Sequence, residues 1–187
     1  NYTFYDKELI DLSAKESGLS PDFIAKTEQN LSSGWLYSMM IGSSYSVYSA
    51  GASGAAAGGA TPIIPLADQI FSAQRKVIIK LAEEGNCVIV GRCADYILSS
   101  CGKFPKEDLL NIFIYGDLPE RVKHAVKYYE LPENNAEKII TQIDKRRANH
   151  YNTFTENTWG DRKNYDLMLN SSYLGLDKTV DIICSSV

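Results

Sequence analysis

Three short apolar runs, each stopped by a turn-forming residue, do most to limit how this chain can fold. Cys87–Val90 lies between Gly85-Asn86 and Gly91-Arg92, Leu109–Tyr115 ends at Gly116, and Tyr165–Leu169 ends at Asn170. The continuous run Cys87–Val90 reads as a strand covered on both faces, Leu109–Tyr115 as a second buried strand and Tyr165–Leu169 as a third strand. Segments with apolar residues at helical spacing lie between and before them. Ile70, Phe71, Ala73, Val77, Ile78, Leu81 and Ala82 predict a helix over 66–84, closed by Gly85. Strands alternating with helices predict an α/β fold, a parallel sheet flanked by helices on both faces. Ligands of such sheets bind beyond the carboxyl ends of the strands, so the residues just after each strand are the first candidates for function.

The remaining helices follow from start and stop signals. A helix is expected over 7–15, ended by Gly18, and a short one from Ser20-Pro21-Asp22 to about Asn30. Cys93 to Ser99 should form another. Asp117-Leu-Pro-Glu120 starts a helix that reaches about Tyr129, and Leu131-Pro132 breaks it. Asn134 or Asn135 is expected to cap the next helix, which ends at Arg146-Arg147 before a polar, aromatic segment over 149–164. Val180–Cys184 reads as helical or strand-like. Between Ser32 and Pro62 no charged residue occurs, and Ser, Gly, Ala and Tyr dominate. The length suits a single domain over 1–187, with an insert near 20–65 and a lid-like segment over 146–164. Gly51–Ala60 is glycine-rich but lacks the Lys-Ser/Thr that completes a phosphate-binding loop, and no G-x-x-x-x-G-K-[ST] occurs anywhere in the 187 residues.

A net charge of −4 argues against broad binding to nucleic acid or to an anionic membrane. It leaves room for a small anionic ligand, because a local arginine cluster can hold a phosphate on an acidic protein. No apolar run approaches the ~20 residues that span a bilayer, and residues 1–12 show no signal-peptide pattern. The four cysteines form no C-x-x-C pair, and with only two histidines no metal site is expected. Cys87 and Cys184 lie in apolar runs and are expected to be buried thiols of a cytoplasmic protein. A homo-oligomer is left open.

Gly91-Arg92 follows a strand directly. Glycine lets the backbone turn or approach a ligand, and the guanidinium fork matches phosphate oxygens. Asp95, one helical turn on, could orient that arginine or bind a base edge. Arg146 and Arg147, preceded by Asp144, together with Arg162 and Lys163 bracket a loop of lid-like length, and phosphoryl transfer needs positive charge on such a mobile segment. The plainer account of the arginine pair is a solvated helix end, where cations meet the negative end of the dipole. Asp6 stands before the first helix, where an acid simply stabilises the helix start, and Arg121 could be an ordinary surface residue. His124 and His150 have no partner pattern for a catalytic triad.

Several of these segments, taken in order, resemble the cytidylate kinase-like family of P-loop nucleoside-monophosphate kinases. They are Phe4-Tyr5-Asp6-Lys7-Glu8-Leu9-Ile10, Val88 to Leu98 with Gly91-Arg92-Cys93-Ala94-Asp95 at its centre, Asp144-Lys-Arg-Arg-Ala-Asn149, and Trp159-Gly-Asp161 with Asn164-Tyr-Asp-Leu167. The resemblance implies transfer of the ATP γ-phosphate to a nucleoside monophosphate, CMP or dCMP, with Mg²⁺. It implies that Asp6, Arg92 and Asp95 bind the acceptor, and Arg121 is taken as a further candidate for acceptor binding. Arg146 and Arg147 look like lid arginines that contact phosphates, with Asp144 and Arg162 in the same lid. The family's second Asp of its Gly-Arg-Asp segment falls on Cys93, which bears on the choice of acceptor. Family members begin with a strand, a phosphate loop and its helix before the Tyr-Asp segment. Only four residues precede Tyr5 here, so the natural protein is expected to continue N-terminally. A nucleotide-binding or regulatory domain of the same fold without catalysis is the alternative, and a kinase of another small acceptor is a further one.

Overall fold

The computed structural model describes residues 1–6, 8–22 and 66–187. The insert expected near 20–65 therefore lies almost wholly outside the described residues; Pro21 and Asp22, where its first helix should start, are helical. The described residues form two compact units, 1–94 and 95–187.

In the first unit, strand β1 (Thr3–Tyr5) leads into helix α1 (Glu8–Ser17), which Gly18 ends with φ +72°. Helix α2 (Leu66–Glu83) packs on α1, with Leu9, Ala14, Ile70 and Ile78 buried. Strand β2 (Cys87–Ile89) pairs in parallel with β1, Thr3 beside Cys87 and Tyr5 beside Ile89. The first residues of the chain are thus a strand, which three residues of mixed character did not announce. Val88 is 47% exposed and Phe4 60% exposed. The expectation that β2 is covered on both faces is corrected for the described residues: Phe4 and Val88, register partners on one face of the ladder, remain uncovered there.

The second unit takes up helix α3 (Ala94–Ser100) from Asp95 onward. Strand β3 (Ile112–Tyr115) is followed by helix α4 (Leu118–Tyr129), helix α5 (Glu133–Phe154), strand β4 (Leu167–Asn170), the single turn α6 (Ser171–Leu174) and helix α7 (Leu176–Ser185). β3 and β4 pair in parallel, Ile112 beside Leu167 and Tyr115 beside Asn170. Both pairings are parallel, as the alternation predicts, but the strands pair two by two among the described residues rather than in one continuous sheet.

Several boundaries shift for local reasons. β3 begins three residues later than expected, because Lys106–Asp108 forms a 3₁₀ turn and the Asn111 amide donates to Asp166 Oδ2 at 2.8 Å. α4 ends at Tyr129, and the following Glu130, with φ +54°, reverses the chain before Pro132. Pro132, not Asn134 or Asn135, stands at the N-cap position of α5, without a side-chain cap. α5 also runs well past Arg146-Arg147: no proline or glycine interrupts residues 148–154, and Tyr151 is buried. The cysteine expectation changes too. Cys93 is the buried thiol, Cys87 is half-buried with its thiol pushed up by burial, and Cys184 is exposed.

No described helix is long and apolar enough to cross a membrane.

Candidate functional site

In the first unit the carboxyl ends of β1 and β2 lie side by side, joined by the Val90 amide donating to the Tyr5 carbonyl at 3.0 Å. Asp6 follows β1, and Gly91-Arg92 follows β2. The chain turns there sharply: the Ala94 amide donates to the Gly91 carbonyl at 3.0 Å, and Arg92 and Cys93 have φ of +55° and +57°. Positive φ at both central residues is the signature of a type I′ turn, which normally takes Gly, Asn or Asp. An arginine and a cysteine held there each cost on the order of 1–3 kcal/mol, and such cost concentrates at functional sites. Cys93, in the same turn, is buried. Burial pushes the Arg92 guanidinium below its ordinary value, and the nearby Asp6 carboxylate opposes that shift. A partly desolvated guanidinium next to a carboxylate, at the carboxyl ends of two parallel strands, can receive a phosphate and a polar group of the same ligand.

In the second unit α4 and α5 pack together, and Asp144 on α5 is the hub of their polar contact. Arg121 grips it through two parallel bonds, Nη1 to Oδ2 at 2.7 Å and Nη2 to Oδ1 at 2.9 Å. Arg147 Nη1 donates to Oδ1 at 3.3 Å. Two guanidiniums thus converge on one carboxylate and leave one positive charge in excess. The Asp144 side chain is 25% exposed and that of Arg147 61%, so the excess charge is open to a solvent-borne anion. Arg146 is exposed and sits about 100° around the helix from Arg147. The pair lies inside α5, which continues to Phe154, so the helix-end dipole account does not apply to it.

Asp95 is half-buried, and its Oδ2 accepts from the Tyr151 hydroxyl at 2.7 Å. Burial raises the Asp95 carboxyl above its ordinary range, partly offset by that hydroxyl and by backbone amides. Burial likewise drives the Tyr151 hydroxyl well above its ordinary value, helped by Asp95 and opposed by the Asn157 side chain. Arg162 is exposed and opens the 3₁₀ turn Arg162–Asn164, whose N-cap Asp161 accepts from the Lys163 amide at 3.1 Å.

The structure thus brings Asp6 to Arg92, and Arg121 to Asp144 and Arg147. Sequence reasoning missed Tyr151. The signal was present, since Tyr151 continues the stripe of Ala136, Ile140, Asp144 and Arg147 at steps of three and four. It also missed the joint after β3 and β4. There the Asp117 amide donates to Ser172 Oγ at 2.9 Å, Ser171 Oγ donates to the Tyr115 carbonyl at 2.9 Å, and the Asn170 side chain caps α6.

The cytidylate kinase-like family matches residues 1–173. The chain belongs to that family. Membership in the cytidylate kinase-like family points to a nucleotide kinase-like function with nucleotide substrates. Among solved structures, the chain is similar to an uncharacterized protein from Eubacterium ventriosum ATCC 27560, with 32% identity over 66% of this chain and 67% of that chain and a TM-score of 0.58. No curated protein matches the chain.

Proposed function

We propose that the protein transfers the γ-phosphate of ATP to a nucleoside monophosphate, CMP or dCMP, with Mg²⁺. The observation that carries this is the Gly91–Cys93 turn, which spends backbone strain to hold Arg92 beside Asp6 at the carboxyl ends of β1 and β2. In this proposal Arg92 holds the acceptor phosphate and Asp6 a polar group of the acceptor. A monophosphate oxygen attacks the γ-phosphorus in line, a new P–O bond forms, the bond to the β,γ-bridging oxygen breaks, and ADP leaves. Arg146 and Arg147 on α5 supply positive charge to the transferring group, with Arg121 and Asp144 setting the direction of Arg147, and Arg162 lies on the segment that follows α5 as the remaining part of the lid. Among the described residues no three His, Cys, Asp or Glu side chains cluster as a metal cage. Mg²⁺ would be held largely through the ATP phosphates, the manner in which that ion is commonly bound, and would neutralise charge on the transferring group. The use of ATP and four free thiols suit a reducing, cytoplasmic setting.

The test is ADP release with Mg·ATP against a panel of nucleoside monophosphates and other small phosphate acceptors. CMP or dCMP should give the highest kcat/KM. Monophosphate binding by calorimetry without ADP release would favour the non-catalytic alternative instead. Arg147→Ala should lower kcat a hundredfold or more, in line with ~3 kcal/mol for a transition-state donor; unchanged turnover would remove Arg147 from the mechanism.

A further inference from the structure

One face of α5 carries Ala136 and Ile140, both buried, then the partly exposed Asp144 and Arg147 and finally buried Tyr151. Arg147 therefore stands between two fixed points of one helical face. On its N-terminal side, packing of α5 on α4 and the paired bonds from Arg121 to Asp144 hold the stripe. On its C-terminal side, four residues on, the Tyr151 hydroxyl donates to Asp95 on α3. Thr155 Oγ1 donates to the Tyr151 carbonyl at 2.8 Å and accepts from the Asn157 amide at 3.2 Å, so the segment after the helix folds back on the same residue.

We infer that Tyr151 is a positioning residue, whose hydroxyl, held by Asp95, sets the rotation of α5 about its own axis and thereby the direction of the Arg147 guanidinium. The inference rests on the phosphotransferase proposal for Arg147 and adds a residue that proposal does not contain. A turn of the helix about its axis swings side chains on this stripe together, because residues three and four apart share a face. Arg147 reaches Asp144 by a single bond of 3.3 Å, against the two shorter ones from Arg121, so it depends most on the helix being held. Misplacing a catalytic group by as little as 1 Å can cost on the order of a hundredfold in rate. The Tyr151 ring is buried, and its hydroxyl faces the half-buried Asp95 carboxylate with the Asn157 side chain nearby. Removing the hydroxyl alone therefore releases the tether while leaving the packing.

The experiment is a double-mutant cycle on the full chain with Tyr151→Phe and Arg147→Ala, read as kcat and KM for Mg·ATP and CMP. Tyr151→Phe should lower kcat about tenfold with KM for CMP little changed, and should cause no further loss when Arg147 is already alanine. The same tenfold fall in both backgrounds would overturn the inference, because a general loss of structure does not depend on Arg147. Amide hydrogen exchange over 144–151 gives a readout independent of turnover. It should quicken about tenfold in Tyr151→Phe, and an unchanged rate would also overturn the inference. If the unmutated protein forms no ADP with any acceptor, the phosphotransferase proposal fails alone, and exchange still decides whether Tyr151 holds this stretch of α5.

Discussion

In the function proposed above, Arg92 serves binding at the expense of the fold. Its φ of +55° is one that an L side chain adopts only at a cost. Arg92→Gly and Arg92→Ala both delete the guanidinium, so both should lose acceptor binding by calorimetry. They should differ in stability. Glycine accepts the left-handed conformation and alanine does not, so the glycine variant should be the more stable by about 1 kcal/mol in denaturant titration. Equal stability would mean that the turn relaxes once the arginine is gone. Arg92 stood out in the sequence as a candidate because Gly91-Arg92 directly follows an apolar run. Its strain did not, since a non-glycine residue gives no local sign that its φ is positive. From position alone Asp6 read as a helix-start acid, and only the family resemblance gave it an acceptor-binding role. Its closeness to Arg92 depends on β1 pairing with β2, a contact between residues more than eighty positions apart.

At the level of elements, the joint between β3 and β4 is closed by small side chains. A Cβ built on Gly116 would lie 2.8 Å from Ser172 Oγ, the atom that accepts from the Asp117 amide. Gly116→Ala should therefore destabilise the fold by about 1–3 kcal/mol through overpacking. The same change should cost less when Ser172 is already alanine, because the clashing oxygen is absent. Additive effects of the two substitutions on the denaturation midpoint would show that the crowding lies elsewhere. Helices were read well from spacing: α2 ends one residue before its expected end, and α4 ends where the Leu131-Pro132 break begins. The error at α5 has a physical source. Asn149 to Thr153 are polar or aromatic, and propensity gives them little helical weight, but burial of Tyr151 carries the helix through them. Three-residue β1 is too short for any period to show, and it exists because β2 offers it a parallel edge.

For the molecule as a whole, the family pattern runs through residues 1–173 and so through both compact units, which is why it could be recognised before any element was placed. Its pH dependence should carry a mark of the Asp95–Tyr151 pair. Burial raises the folded-state value of Asp95 above the ordinary 3.8, so over that interval the folded protein keeps a proton that the unfolded chain has released. The contribution of this group to stability therefore falls as pH rises from 3.8 to the folded value, and then levels off. Asp95→Asn keeps an acceptor for Tyr151 and removes the titration. Its Tm relative to the unmutated protein should climb between acid and neutral pH, and a constant difference would contradict the raised value. Asp166 shifts the other way: burial works to raise it, but Lys106 and the Asn111 amide together carry it below its ordinary value. Being common to both proteins, it cancels from the comparison. The length of α5 has one more effect. Its 22 residues form a rod of about 33 Å, held by Tyr151 near one end and by Arg121 at Asp144, with Arg147 about 6 Å from Tyr151 and Glu133 about 27 Å away. A tilt of about 5° around Tyr151 would carry the far tip more than ~2 Å but the arginine's backbone only about half an ångström. Evolution can therefore bend or re-pack the distal half of this lever while the guanidinium near its fulcrum stays almost still.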